Sequence, residues 1–171
     1  MPVRAGGRIG TMDARIRQYT PADQGPVVTL SLRAWAPVFA SLTRLLGDEL
    51  FEILRGDWRV SQEQAVHDVL ADPAGHIWVA EADGTLVGWV AATRHEDRRV
   101  GEIYMIAVDP DAQNQGVGQA LTDVATDWLR ESGMRVAMVE TGGDQGHAPA
   151  RRVYENAGYT ALPAVRYFKA L

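Results

Sequence analysis

The sequence predicts one mixed α/β domain built on a central sheet. Some segments alternate apolar and polar residues, as strands do, and others repeat apolar residues every three or four positions, as helices do. In chain order these segments are strand, helices, three strands, helix, strand, helix and strand. At 171 residues and 46% apolar content, the chain can bury the core of one domain, and no repeat or linker divides it.

The first half is predicted to be one strand followed by helices. An alternating pattern over 14–19 indicates the strand, and Thr20 then caps a helix that has Pro21 in its first turn. Recurring Phe, Leu and Ile residues over 39–54 mark a second helical region. The tetrad Ser61-Gln62-Glu63-Gln64 has the pattern of a capping box and opens a third helix, which stops near Asp72-Pro73.

The second half is predicted to carry most of the sheet. A turn at Asp83-Gly84 joins its first two strands into a hairpin. The helix after the third strand has an apolar stripe from Val117 to Leu129 and ends at Gly133. The strands are expected at His76–Glu81, Thr85–Arg94, Val100–Val108, Arg135–Thr141 and Ala164–Ala170.

Composition excludes several classes of function. The chain has no cysteine, so it forms no disulfide, no thiolate nucleophile and no Cys-based metal site, and we expect no metal. A net charge of −5 argues against nucleic acid as a partner, and the short apolar runs argue against a membrane span or a signal peptide. We therefore expect a soluble cytoplasmic protein. Residues 1–12 are interpreted as a disordered leader before a single domain at 13–171, and Met12 is an alternative start.

The segment from Val108 to Leu121 predicts an anion site, because it runs from a strand through a glycine-containing turn into a helix start. Gly116 and Gly118 have no Cβ, so a ligand can approach the main chain there. A P-loop would need Lys and Ser or Thr where Gln119-Ala120 stand. A dinucleotide fingerprint would need Gly or Ala in place of Leu121.

This segment resembles the Gln/Arg-x-x-Gly-x-Gly/Ala motif of GNAT-type N-acetyltransferases, with Gln113, Gly116 and Gly118 in the motif positions. A second segment, Ala150 to Tyr159, resembles the Ala-x-x-x-Tyr-Glu helix that Gly-Phe or Gly-Tyr closes in that superfamily. The resemblance covers roughly Ile77 to the C-terminus. It implies a mostly antiparallel sheet with helices on both faces and one parallel pair splayed at the cofactor site.

The resemblance also implies that acetyl-coenzyme A (acetyl-CoA) is bound as the acetyl donor. Its pyrophosphate would lie on the amides of the turn, and the amide of Ile106, freed by a bulge, would stabilise the oxyanion. His147 stands where the superfamily often has Asn, so it could contact the cofactor, transfer a proton or only cap the helix. The cofactor-binding residues implied are Ile106, Ala107, Val108, Gln113, Asn114, Gln115, Gly116, Val117, Gly118, Gln119 and His147.

Two residues are the candidates for catalysis. Glu102 opens the central strand where some members of the superfamily place a glutamate base, and strand alternation would put it on the same face as Tyr104, Ile106 and Val108. The alternatives for the base are His95, Glu96 and Glu140, and bulk water or a water chain could also deprotonate the acceptor. Tyr154 stands where the family has the acid that protonates the thiolate, although a tyrosine there could also be an ordinary core residue.

These observations predict an acetyl-CoA-dependent N-acetyltransferase that acts by direct transfer, since no cysteine is present to form a covalent intermediate. The expected acceptor is a primary amine on a small molecule. Two alternatives stay open: an acetyltransferase for protein N-termini or lysines, and a non-catalytic module that senses acetyl-CoA. The fold is also compatible with a homodimer.

Overall fold

The computed structural model describes residues 12–171, and its centre is one five-stranded sheet. The strands lie in chain order, and each pairs with the next. The first three pairs are antiparallel, and the last pair, β4 with β5, is parallel. The strands are β1 (Arg15–Gln18), β2 (His76–Ala82), β3 (Thr85–His95), β4 (Val100–Val108) and β5 (Val136–Val139).

Helices cover both faces of this sheet. They are α1 (Gln24–Leu46), α2 (Asp48–Arg55), α3 (Trp58–Ala71), α4 (Val117–Glu131) and α5 (Ala148–Asn156). Short 3-10 turns at Pro21–Asp23, Pro110–Ala112 and Gln145–His147 precede α1, α4 and α5.

The core has two halves, one on each face of the sheet. On one face α4 buries Leu121, Ala125 and Leu129. On the other face α1 and α3 bury Val27 and Val66. Each half contains several fully buried aliphatic side chains, and each such side chain contributes about 1.5–3 kcal/mol relative to exposure. The sheet therefore separates the two halves of the core, and this packing fixes the position of β4 relative to the helices.

Two close approaches show how tightly the halves fit. A Cβ on Gly101 of β4 would lie 2.2 Å from Leu129 Cδ2, so only glycine lets α4 pack at this distance. On the opposite face the buried Trp89 indole donates a hydrogen bond of 2.8 Å to Ser31 Oγ of α1. These contacts fix the positions of α4 and α1 against the strands that carry the candidate site.

Most of the elements predicted from spacing are confirmed. The mixed α/β class, the hairpin at Asp83-Gly84 and the span of β4 all agree with the structure. Gly133 and Gly158 end α4 and α5 with φ of 81° and 84°, the left-handed conformation of a glycine stop.

Three predicted elements differ from the structure. The strand expected at Ala164–Ala170 is absent, and residues 160–171 have no regular structure and are mostly exposed. The third helix begins at Trp58 and not at Ser61, because Asp57 caps it by accepting a hydrogen bond from the amide of Arg59. The helical region expected over 39–54 is divided at Gly47, whose φ of 78° interrupts the helical backbone.

Residues 1–11 of the predicted leader lie outside the described residues. Met12 is described and packs against the core beside α4. Among the described residues, the helices are all too short or too polar to cross a membrane.

Candidate functional site

The turn between β4 and α4 presents a row of free backbone N–H groups. Among the described residues, the amides of 114–119 donate to no protein acceptor, whereas the amide of Ala120 donates to the carbonyl of Gly116. Asn114 and Gly116 have φ of 59° and 85°, and such left-handed residues let successive amides point into one concave surface. The turn therefore combines free donors with the positive end of a 15-residue helix, which suits a phosphate.

An ion pair with α1 holds this turn in place. Arg33 Nη1 lies 2.6 Å from Asp109 Oδ2, and its Nη2 lies 2.8 Å from Asp111 Oδ2. Asp109 also accepts a hydrogen bond of 3.0 Å from the amide of Asp111. Because the carboxylates of Asp109 and Asp111 bind Arg33, they do not accept from the amides of residues 114–119. Those amides therefore remain available to a ligand. Arg33 is 76 residues from Asp109 in sequence, and local patterns did not indicate it.

The main chain at the end of β4 faces a gap in the sheet. Pairing with β5 ends at Ile103 and Val139, so among the described residues the rest of β4 pairs with no strand on that side. The amide of Asp109 donates to Val87 of β3 at 2.9 Å. Since the backbone polar groups of a strand alternate sides, those of Ile106 and Val108 point away from β3 and into the gap. The Val108 carbonyl does so, because it accepts a bond of 3.2 Å from Gln113 Nε2.

A bulge in β4 changes which side chains share a face. Ala91 pairs with Met105 and Ala92 pairs with Ile103, so Tyr104 is an extra residue between them. The expectation that Glu102, Tyr104, Ile106 and Val108 share one face is therefore wrong. Glu102 and Tyr104 face the cavity beside α3, whereas Ile106 and Val108 pack with the core under α4.

Helix α5 packs against α4 near the end of β4. A Cβ built on Gly118 would lie 3.5 Å from Val153 of α5 and 3.6 Å from Val108 of β4, so the three elements meet at this glycine. The next residue of α5, Tyr154, is 7% exposed, and its hydroxyl makes no hydrogen bond within the described part of the chain. Burial, with a smaller effect of the neighbouring Tyr159, raises the pKa of Tyr154 to about 12. The phenol therefore stays protonated and can donate.

Glu102 forms a pair with an imidazole where β3 ends and β4 begins. His95 Nε2 lies 3.0 Å from Glu102 Oε2, and both side chains are partly buried. The two residues line a cavity of about 440 Å³ between α3 and strands β3 and β4. The other predicted bases do not line it: Glu96 is exposed and lies 3.4 Å from Arg94, and Glu140 is exposed just after β5.

This cavity is negatively charged. Its titratable lining within residues 12–171 consists of Glu102, Asp68, Asp72, His95 and Tyr104, with no lysine or arginine among them. The carboxylates of Asp68 and Asp72 each accept one hydrogen bond from their own segment of α3 or the turn after it. Tyr104 is 59% exposed, so its ring is available on the cavity wall. The lining therefore favours a cation.

His147 lies at the start of α5 and is paired with a buried carboxylate. The Asp144 side chain is 5% exposed, contacts His147 Nδ1, and accepts a hydrogen bond of 2.9 Å from the amide of Gly146. Burial acts to raise the pKa of Asp144, but hydrogen bonds, chiefly from His147 and Ser41, outweigh it and the pKa is lowered. Asp144 and Ser41 were missed from the sequence, although the Asp-x-x-His spacing was a signal for this pair.

The comparisons with known proteins agree with this geometry. The model of the Acetyltransferase (GNAT) family matches residues 43–159. The chain belongs to this family. The splayed parallel pair, the mostly antiparallel sheet and the helices on both faces are the GNAT fold that the resemblance implied.

Mycothiol acetyltransferases are among the relatives of this GNAT chain. That of Thermomonospora curvata is 40% identical over 89 residues, which is 52% of this chain and 29% of that protein. That of Acidothermus cellulolyticus is 32% identical over 164 residues, which is 86% of this chain and 45% of that protein. The chain thus spans less than half the length of these relatives.

Solved structures of GNAT enzymes share the fold. The aminoglycoside N-acetyltransferase AAC(6')-Iy in complex with CoA has a TM-score of 0.64 at 17% identity and covers 99% of both chains. The PaiA N-acetyltransferase of Thermoplasma acidophilum in complex with coenzyme A has a TM-score of 0.61 at 16% identity. The latter covers 85% of this chain and 89% of its own.

Proposed function

We propose that this protein transfers the acetyl group of acetyl-CoA directly to a primary amine on a small molecule. The observation that carries the proposal is the continuous polar main chain from the end of β4 into α4. There the backbone groups of Ile106 and Val108 face the gap and the amides of 114–119 are free. A ligand with a long amide-containing arm and a pyrophosphate fits such a surface.

The residues fit acetyl-CoA in type and order. The amides from Asn114 to Gln119 would hold the pyrophosphate, with Gln113 keeping the turn closed against Val108. The main chain of Ile106 to Val108 and the side chain of His147 would contact the amide-containing arm of acetyl-CoA. When bound, acetyl-CoA supplies the activated thioester. The chain orients it and stabilises the developing oxyanion. It also accepts the proton of the attacking amine and donates to the departing thiolate.

Three residues are proposed to act on the reacting atoms. Glu102, oriented by its hydrogen bond with His95, takes the proton of the attacking amine. The amide of Ile106 donates to the oxyanion, which its direction into the gap supports. The hydroxyl of Tyr154, which has no hydrogen-bond partner among the described residues, donates to the departing thiolate, the role that the family gives to this tyrosine.

The acidic cavity supports a small cationic amine as acceptor. Its volume of about 440 Å³ suits a small molecule, and Asp68, Asp72 and Glu102 would attract an ammonium group. The experiment must separate a small-molecule acceptor from two alternatives. One is a protein acceptor, either an N-terminus or a lysine side chain, and the other is a purely regulatory role without catalysis. A cytoplasmic location and a homodimer belong to the same proposal.

A thermal melt with CoA, acetyl-CoA, ATP and NAD in parallel tests the cofactor, because a ligand of the native state raises stability by mass action. A rise with the two CoA ligands alone supports the proposal, and no rise at saturation refutes it. Thiol release from acetyl-CoA with a panel of small amines and peptides then identifies the acceptor. Turnover with peptides only would favour the protein acetyltransferase, and binding without any turnover would favour the sensor.

A further inference from the structure

Helix α1 holds Arg33 at a fixed position on the sheet. Two residues before Arg33, Ser31 Oγ accepts a hydrogen bond of 2.8 Å from the indole of Trp89 in β3 and donates one of 2.7 Å to the carbonyl of Val27. Ser31 and Trp89 are both fully buried. This part of α1 therefore cannot slide along β3 without leaving a buried donor or acceptor unpaired, which is unfavourable.

From this position Arg33 binds the carboxylate at the start of the turn between β4 and α4. Its Nη1 lies 2.6 Å from Asp109 Oδ2, while Asp109 Oδ1 accepts a hydrogen bond of 3.0 Å from the amide of Asp111. The amide of Asp109 donates to the carbonyl of Val87 at 2.9 Å, and its carbonyl accepts from the amide of Ala112 at 2.8 Å. Asp109 is buried, and a buried carboxylate needs a charged partner, which Arg33 supplies.

The hydrogen bonds continue from Asp109 to the row of amides at 114–119. The carbonyl of Asp111 accepts a bond of 3.0 Å from Gln115 Nε2, and Gln115 is itself a member of that row. A continuous path of bonds thus runs from Arg33 through Asp109 and Asp111 to Gln115. The conformation of the amide row therefore depends on a side chain that lies on another element.

The second bond of Arg33 is of a different kind. Its Nη2 lies 2.8 Å from Asp111 Oδ2, but the Asp111 side chain is 85% exposed, against 12% for that of Asp109. Exposed ion pairs contribute little, because water competes for both groups and side-chain entropy opposes the pair. We therefore expect Arg33 to act through Asp109 and not through the carboxylate of Asp111.

We propose that Arg33 is a positioning residue for the pyrophosphate of acetyl-CoA and acts through Asp109. This rests on the proposed function. Arg33 holds Asp109, and through it the turn, so that the amides of 114–119 point into one surface before the ligand arrives. Donors ordered in advance bind more tightly, because the entropy of ordering the turn is lost on folding and not on binding. Arg33 also offsets the charge of two carboxylates that would repel a phosphate.

The Kd for CoA, measured by isothermal titration calorimetry, tests this role against a matched control. Arg17 also pairs with two carboxylates, Asp23 at 2.8 Å and Glu81 at 3.0 Å, but it lies on β1, three strands from β4. We expect Arg33→Gln to raise the Kd at least about 10-fold, the effect of losing about one amide bond to a charged acceptor. Arg17→Gln should leave the Kd within about twofold of the parent.

Two further measurements separate positioning from direct contact and from general damage. Dephospho-CoA keeps the pyrophosphate and lacks the 3′-phosphate, so Arg33→Gln should weaken it by the same factor as CoA. If the loss disappears with dephospho-CoA, Arg33 binds the 3′-phosphate itself and the positioning role is wrong. With the amine found by thiol release, the KM for acetyl-CoA should rise while kcat at saturation stays within about twofold. A general loss of structure would lower kcat as well.

Variants of the partners identify the path. Arg33→Lys should recover most of the affinity, because an ammonium group can still pair with Asp109. Asp109→Asn should reproduce the loss, whereas Asp111→Asn should keep the Kd within about twofold. The double variant Arg33→Gln with Asp109→Asn leaves no unpaired buried carboxylate, so it replaces Arg33→Gln if that variant does not fold, and the same rise is expected.

Two outcomes would overturn the role of Arg33 alone. One is a parent-like Kd in Arg33→Gln, or in the double variant where that is used, and the other is a loss in Asp111→Asn as large as in Asp109→Asn. Failure of the parent to bind CoA at all would overturn the proposed function with it.

Discussion

Gly116 is the position where the anion site can be tested against a matched control. Its φ of 85° is left-handed, and an L-residue there costs about 1–2 kcal/mol. Gly84, in the β2–β3 hairpin turn, has φ of 75°, and a Cβ on it would meet nothing within 4 Å. Gly116→Ala and Gly84→Ala should therefore lower the Tm similarly, by about 2–8 °C for a chain of this size. Only Gly116 adjoins the free amides.

The two variants should differ when CoA is added. Relief of the strain at residue 116 turns at least one amide away from the ligand, and a hydrogen bond to a charged acceptor contributes about 1.5–3 kcal/mol. The Kd should rise about 10- to 150-fold, since each 1.4 kcal/mol is a factor of ten. At CoA 100 times the parent Kd, stabilisation should fall from about 2.7 kcal/mol to between about 0.3 and 1.4 kcal/mol.

Thermal melts with and without CoA measure this directly. The parent and Gly84→Ala should rise by about 5–11 °C with CoA, and Gly116→Ala by no more than about half of that. If Gly116→Ala binds CoA like the parent, the amides of this turn do not hold the pyrophosphate. A loss of CoA binding in Gly84→Ala as well would attribute the effect to general destabilisation, and the reasoning from Gly116 would fail.

Three further outcomes follow from the same structure. Glu102→Gln and His95→Gln should each lower kcat about 10²- to 10⁴-fold. The double variant should lose little more, since the two residues are proposed to act as one base. Additive losses in a double-mutant cycle would contradict the pairing. Asp68→Asn with Asp72→Asn should raise the KM for a dication more than for a monocation, and equal changes would show that the cavity does not select by charge. The hydrogen bond from Arg17 lowers the pKa of Asp23 to about 2, so the parent should gain about 2 kcal/mol over Asp23→Asn above pH 4. Because the folded pKa is depressed, that gain should vanish as the pH falls from about 4 to 2 in urea melts, and a difference that persists at pH 2 would refute it.

Local patterns predicted the elements whose signals lie within the elements themselves. The apolar stripe of α4, the hairpin turn at Asp83-Gly84 and the glycine stops depend on residues a few positions apart, and all are confirmed. The strand expected at Ala164–Ala170 needed a partner strand for its hydrogen bonds, and alternation within the segment carries no information about one. The start of α3 was wrong because Asp57 and Ser61 are both good capping residues, and tertiary packing selects between them.

In the candidate site, too, contiguous motifs were predicted from the sequence and long-range contacts were not. The turn with Gly116 and the helix with Tyr154 are contiguous motifs, so the sequence located them and the structure places both at the end of β4. Arg33 and Ser41 of α1 contact residues 76 and 105 positions away, and only the folded chain brings such pairs together.

In the proposed reaction, the bulge at Tyr104 lets one strand serve two substrates. Without the extra residue, alternation would place Glu102 and Ile106 on one face, and the Glu102 side chain would crowd the side chains packed under α4. With it, Glu102 faces the acidic cavity beside α3, while the main chain of Ile106 still faces the gap left by β5. On the proposed function, an amine would approach from the cavity and a thioester from the gap. The proposed direct transfer needs both substrates bound at the same time, and two separate approaches to β4 would allow this.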